Sequence, residues 1–187
     1  MLTDNIIPAI LPKSTADFSE KLSRLPREIK YFHLDVLEED IWVDPEISFE
    51  VHLMVKDPLA IANRWIERSA KRIIVHDIHG FEELRNKAEI GLAVELNIEF
   101  KNIFPLLGRV DFIHLMSIDN LGTQGDNFEP IIFDRIKEVR AKFPNIGISI
   151  DGGVDDTNYK ELFEIGATRL IVGSHFEKLW KQVEKKY

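Results

Sequence analysis

Short apolar runs alternate with stretches of helical spacing from one end of this chain to the other. That alternation restricts the fold more than any other feature. Residues 6–11, 30–37, 49–55, 72–76, 91–98, 110–118, 146–150 and 168–172 read as strands. Most are continuously apolar rather than alternating, which is the pattern of a parallel sheet buried on both faces. Helical signals lie between them. Ser14 or Thr15 caps a stretch with Phe18, Leu22 and Leu25 at helical spacing, and Asp57-Pro58 opens another with Leu59, Ala62, Trp65 and Ile66 inward. A helix is expected near 81–87 and a short turn over 103–107. Glu129-Pro130 opens a long helix to Lys142, Asp156 or Thr157 caps one that ends at Gly166, and the last runs from Phe176 to Glu184. Eight strand–crossover units predict an α/β fold, a (β/α)8 barrel occupying residues 1–187 as one domain. An open doubly wound sheet is the competing architecture. The barrel is shortened after the second strand, because residues 38–46 are too short and broken for a full helix.

The second strand carries the most informative residues, Tyr31-Phe32-His33-Leu34-Asp35-Val36. Residues i and i+2 of a strand share a face, so His33 and Asp35 project together among apolar neighbours. Two buried polar groups are costly unless something satisfies them, and a divalent metal would satisfy both. His52 and Asp151 stand near the ends of two further strands. Two imidazoles and two carboxylates suit zinc, iron, manganese or cobalt. Each residue alone reads more simply as a hydrogen-bonded core histidine or a capping aspartate; the four together do not.

Glycine elements follow the last three strands: Gly122-Thr123-Gln124-Gly125, Gly152-Gly153 and Gly173-Ser174. Each could serve a turn alone. In the late loops of a barrel, the three favour a cradle of backbone N–H groups for phosphate.

The bulk properties narrow the function classes. A formal net charge of −8 disfavours nucleic acid as a partner. The chain has no cysteine, which excludes disulfides, thiolate catalysis and cysteine-bound zinc. No apolar run is long enough to span a membrane and no secretion signal is evident, so a cytoplasmic protein with no membrane partner is expected.

Five segments, in order along the chain, resemble the signatures of ribulose-phosphate 3-epimerases. They are Pro8-Ala9-Ile10-Leu11, His33-Leu34-Asp35-Val36, Val51-His52-Leu53-Met54-Val55, Asp151-Gly152-Gly153-Val154 and Val172-Gly173-Ser174. The resemblance implies a (β/α)8 barrel that holds one divalent metal ion (Zn, Fe, Mn or Co) on His33, Asp35, His52 and Asp151. It implies catalysis by Asp35 and Asp151, one removing the C3 proton of a ketose phosphate and the other returning a proton to the opposite face, through an enediolate. It places Met54 and Met116 around the sugar, although core filling explains both nearly as well. Gly122, Gly125, Gly152, Gly153, Gly173 and Ser174 would contact substrate or phosphate. The expected partner is a small phosphorylated sugar, ribulose 5-phosphate or xylulose 5-phosphate, or alternatively a ketohexose 6-phosphate. A non-catalytic barrel that binds a phosphorylated ligand is the reading from another class. A related decarboxylase is weaker, because 33–38 lacks the lysine of that family's strand motif.

The chain also departs from the pattern. The family's two serines around the first strand are Ala9 and Pro12, and its sixth loop is altered. His76 is a candidate for the pocket, whereas His79, His114 and His175 read as structural or surface residues. Glu38-Glu39-Asp40 reads as a solvated loop. Trp42 either closes over the site or covers the gap left by the missing helix. An exposed apolar patch there would favour contacts between copies, so a homo-oligomer is expected.

Overall fold

The computed structural model describes residues 2–119, 122, 125 and 127–184. Eight parallel strands close into a barrel in sequence order, each bonded to the next and β8 to β1. They are β1 (Ile6–Ile10), β2 (Tyr31–Val36), β3 (Ser48–Leu53), β4 (Arg72–Val75), β5 (Glu89–Val94), β6 (Phe112–Met116), β7 (Gly147–Asp151) and β8 (Arg169–Val172). The open sheet is thereby excluded. Helices α1 (Thr15–Ser23), α2 (Pro58–Glu67), α3 (Phe100–Ile103), α4 (Ile131–Lys142), α5 (Tyr159–Glu164) and α6 (Phe176–Glu184) lie along the connections.

The two faces of each strand meet different surroundings. Outward residues such as Phe32, Leu34, Val51, Ile73, Ile113, Ile148 and Leu170 join the helices in one large apolar core. Inward apolar residues form a small second cluster of Ile74, Ala93 and Phe112. Much of the remaining interior is polar. His33 of β2 stacks on His114 of β6 with ring centroids 5.5 Å apart, and Glu50 of β3 meets Arg169 of β8 at 2.6 Å. Neither pair belongs to neighbouring strands, so both contacts cross the barrel.

No helix joins β2 to β3, as the sequence indicates. Trp42 fills that place: its ring lies 6.3 Å from Phe18, 5.2 Å from Phe49 and 5.4 Å from Trp65. Arg68 stacks over Trp42, 4.9 Å from the ring centre, and bonds Asp40 at 2.6 Å, and Arg64 meets Asp40 at 2.6 Å. Part of the acidic run is therefore tied to α2 rather than merely solvated. Trp42 covers the gap.

Two helical expectations change. The segment near 81–87 holds only a 3-10 turn, Glu82–Leu84, which buries Leu84 without room for α-helical propagation before β5. The turn at 103–107 becomes α3 followed by a 3-10 stretch, Phe104–Arg109. Neither Asp156 nor Thr157 caps α5: its N-cap is Asn158, without a side-chain cap bond, and the turn before it is held by Asp155, which accepts from the Thr157 and Asn158 amides, while Gly166 ends the segment at φ +119 as expected.

Candidate functional site

The site begins with strand register. Asp35 pairs with His52 across β2 and β3, and Met116 pairs with Asp151 across β6 and β7. Parallel pairing brings all four side chains to the C-terminal end of the barrel, where such folds place their chemistry. His33 Nε2 lies 3.3 Å from Asp35 Oδ1 and 3.8 Å from Asp151 Oδ2. His52 Nδ1 lies 3.8 Å from each of the same two oxygens. The residues named from sequence thus converge.

Both histidines are held from behind. His33 Nδ1 donates to Glu50 Oε1 at 2.8 Å, and His52 Nε2 faces His76 Nε2 at 3.0 Å. The ring nitrogens aimed at the carboxylates, His33 Nε2 and His52 Nδ1, are buried and make no aligned hydrogen bond. An orphaned buried nitrogen costs about 1–3 kcal/mol. Two ring nitrogens facing two carboxylates form a donor set that fits a divalent cation, which would take the place of any proton held there.

Three residues that contact the candidate site escaped sequence reasoning. His114 is fully buried, and its Nε2 donates to Asp151 Oδ2 at 3.1 Å. It belongs to a compact group with His33, His52 and Asp151, whose candidate ligand atoms lie within 4.8 Å of one another. Of the expected structural or surface role, burial excludes the surface for His114. Its strand run, Phe112 to Met116, is apolar around it, and only its even spacing from Met116 signalled the inward face. Glu50 was the second omission; the signal was its position two residues before His52. Ser117 was the third. Its hydroxyl donates to the Asp151 and Gly152 carbonyls at 2.9 and 2.5 Å, fixing the backbone beneath the catalytic candidate. His175, read from sequence as structural or surface, lines the site cavity.

That cavity is lined by Asp35, Asp151, Met54, Met116, Gly122, Gly125, Gly152, Gly153, Gly173 and Ser174, so every predicted substrate and phosphate residue borders one space. Thr123 and Gln124 lie outside the described residues. Gly153 has φ +60, and a Cβ there would sit 2.6 Å from the Phe128 backbone. Glycine is required at this position for both reasons.

Electrostatics separate the two aspartates. Burial raises the Asp35 pKa, His33 opposes that, and Asp151 adds to it, with a net rise. Burial also raises Asp151, but the hydrogen bond from His114 and the charge of the histidines hold it below the ordinary value. Burial, reinforced by His114, His33 and His76, pushes the His52 pKa well down and keeps that imidazole neutral. For His33 burial acts downward, but Asp35, Glu50 and Asp151 outweigh it and raise it to about 10, so these carboxylates hold a proton on Nε2 that a bound cation would displace.

Comparison with known proteins adds lineage to this geometry. The family model described as "Ribulose-phosphate 3 epimerase family" matches residues 5–176. A ribulose-phosphate 3-epimerase of Chlamydia muridarum is 33% identical over 153 residues, 71% of this chain and 64% of that protein. One from Chlamydia trachomatis is 31% identical over 70% of this chain and 61% of its own length. The match therefore spans just under two thirds of these relatives. A Synechocystis ribulose-phosphate 3-epimerase is 28% identical over 92% of this chain and 88% of its own. Among solved structures, an aldolase superposes with TM-score 0.71 at 12% identity, covering 99% of this chain and 96% of that one. Orotidine 5′-monophosphate decarboxylase from Sulfolobus solfataricus superposes with TM-score 0.62 at 14% identity, covering 97% and 98%. At those identities the likeness shows the barrel alone. Among the described residues, no helix is long and apolar enough to cross a membrane. With a family model matched along nearly its whole length, the chain belongs to the ribulose-phosphate 3-epimerase family.

Proposed function

We propose that this protein is a metal-dependent epimerase that inverts C3 of a ketose phosphate, with ribulose 5-phosphate and xylulose 5-phosphate as the pair. The observation that carries the reading is the convergence of two partnerless ring nitrogens, His33 Nε2 and His52 Nδ1, on the carboxylates of Asp35 and Asp151. His33, Asp35, His52 and Asp151 would hold one divalent cation of the zinc, iron, manganese or cobalt class. Bound there, it supplies Lewis-acid stabilisation to the oxygens of the enediolate.

The proton chemistry belongs to the two aspartates. Asp35 rises from β2 and Asp151 from β7, three strands apart around the closed barrel, and both border the same cavity. One carboxylate takes the C3 proton, and the C–H electron pair moves into the C2–C3 bond as the carbonyl oxygen becomes anionic. The other, as a carboxylic acid, delivers a proton to the opposite face of C3, and the carbonyl re-forms. Inversion needs two groups of this kind. His114 steadies Asp151 through its hydrogen bond. Met54 and Met116 would flank the sugar, while the amides around Gly152, Gly153 and Gly173 and the hydroxyl of Ser174 would receive the phosphate.

The test couples metal content to turnover and to exchange of the substrate C3 proton with solvent. The parent is expected to contain metal and to exchange that proton. Chelation should abolish exchange and added cation should restore it. Asp151→Asn should bind substrate and stop inversion. A parent that binds sugar phosphate but never exchanges the proton would be a binding barrel instead. Turnover on a ketohexose 6-phosphate alone would move the substrate, not the reaction.

A further inference from the structure

His52 turns Nδ1 toward the two carboxylates, and that atom has no hydrogen-bond partner. Its other nitrogen, Nε2, faces Nε2 of His76 at 3.0 Å. The ring planes are 21° from parallel with centroids 5.1 Å apart, so the rings meet nitrogen to nitrogen. His76 Nδ1 lies 3.1 Å from Glu95 Oε1. His52 is fully buried, whereas His76 is 26% and Glu95 37% exposed. These last two border a separate cavity of about 690 Å³, which meets the site cavity at Met54 and Gly122. A three-membered chain thus runs from the candidate cation cluster to solvent.

We propose that His76 and Glu95 are positioning residues: they order the hydrogens along this chain so that His52 presents the Nδ1 lone pair to the cation. The inference rests on the cation reading given above. A neutral imidazole has one N–H and one lone pair. Two Nε2 atoms facing each other form a hydrogen bond only when one of them carries hydrogen. If His76 carries it there, its Nδ1 lone pair faces the Glu95 carboxylate, and the His52 hydrogen falls on Nδ1, where a cation would need the lone pair. If His52 carries it, His76 bears its own hydrogen on Nδ1 and donates to Glu95. A carboxylate only accepts, so Glu95 selects the second order. Partners of this kind fix both the tautomer and the ring orientation of a metal-ligating histidine.

The experiment uses the full chain labelled with ¹⁵N, stripped of metal and then titrated with Co²⁺. Long-range ¹H–¹⁵N spectra of the stripped parent should show hydrogen on His52 Nε2 and a bare Nδ1. Glu95→Ala should erase that preference, and Glu95→Gln, which keeps an oxygen acceptor, should largely restore it. Glu95→Ala and His76→Phe should bind Co²⁺ about 10–100-fold more weakly than the parent, with Glu95→Gln close to the parent. Circular dichroism melts confirm that each variant is folded. Hydrogen on His52 Nδ1 in the parent would overturn the inference, as would parent-like Co²⁺ affinity in Glu95→Ala and His76→Phe. A parent that binds no Co²⁺ would sink the cation reading itself, and this inference with it. Parent binding matched by the variants would sink the inference alone.

Discussion

Glu50 Oε1 stands 2.8 Å from His33 Nδ1, and both side chains are fully buried inside the barrel. Glu50 is held from the other side by Arg169 at 2.6 Å. Burial alone would raise its pKa, but Arg169 and His33 keep it at about 2. The barrel interior is therefore partly an ionic column that ends at the candidate cation cluster. Breaking such a pair from one side leaves a charge uncompensated and costs about 3–5 kcal/mol. Glu50→Ala should lower stability by that amount in urea denaturation. Glu50→Leu combined with Arg169→Met should recover much of the loss, since replacing both partners is often nearly neutral. The double variant should still bind Co²⁺ more weakly than the parent, because His33 has lost its anchor. Full stability in Glu50→Ala would refute the column.

His114→Leu probes the residue that the sequence hid most effectively. Leucine fits an interior lined by Ile74, Ala93 and Phe112, yet it removes the hydrogen bond to Asp151. The expected result is a kcat about 10–100-fold lower with KM little changed, since His114 does not border the candidate site cavity. Steady-state kinetics decide it, and an unaltered kcat would mean that Asp151 needs no help.

His114 also shows where legibility ended. The barrel was readable because continuous apolar runs between helical stretches admit few architectures. His33, Asp35, His52 and Asp151 were readable because polar residues repeated within apolar strands need a physical reason. Glu50 lies level with His33 in the register and His114 in the middle of β6, and their role depends on partners from strands far away in sequence. Local pattern carries no information about a contact across the barrel, such as Glu50 to Arg169 over 119 positions. Strand ends differed by one or two residues from expectation, and by four at the end of β5, as sheet pairing rather than composition sets them. The helix near 81–87 failed because apolar spacing was present without the length that propagation needs.

Trp42 substitutes for a missing helix. It packs against Phe18, Phe49 and Trp65 and carries the Arg68 guanidinium on its face. Trp42→Ala should cost about 3 kcal/mol, at the low end for a tryptophan because the side chain is only half-buried. Thermal unfolding measures this. The Co²⁺ affinity of the folded fraction should stay at the parent value, because Trp42 borders neither the cluster nor its cavity. A large fall in affinity would place Trp42 over the site instead of over the gap.

Asp155 offers a prediction with a definite pH sign. Its carboxylate accepts from the Thr157 amide at 2.7 Å, the Thr157 hydroxyl at 2.7 Å and the Asn158 amide at 3.3 Å. Burial raises its pKa, but these bonds and His175 together outweigh that and bring the net value below 3.8. A carboxylate depressed in the folded state stabilises the fold above its unfolded pKa, roughly 3.9, and loses that contribution as pH falls through the folded pKa. Asp155→Ala should therefore cost about 1 kcal/mol at pH 7, the usual net worth of a side-chain hydrogen-bond cluster of this kind. The gap between parent and variant should close as the pH drops below the ordinary carboxylate range. Urea unfolding of both proteins at a series of pH values gives the result. A gap that stays constant into acid would show that the Asp155 contacts stabilise without its charge.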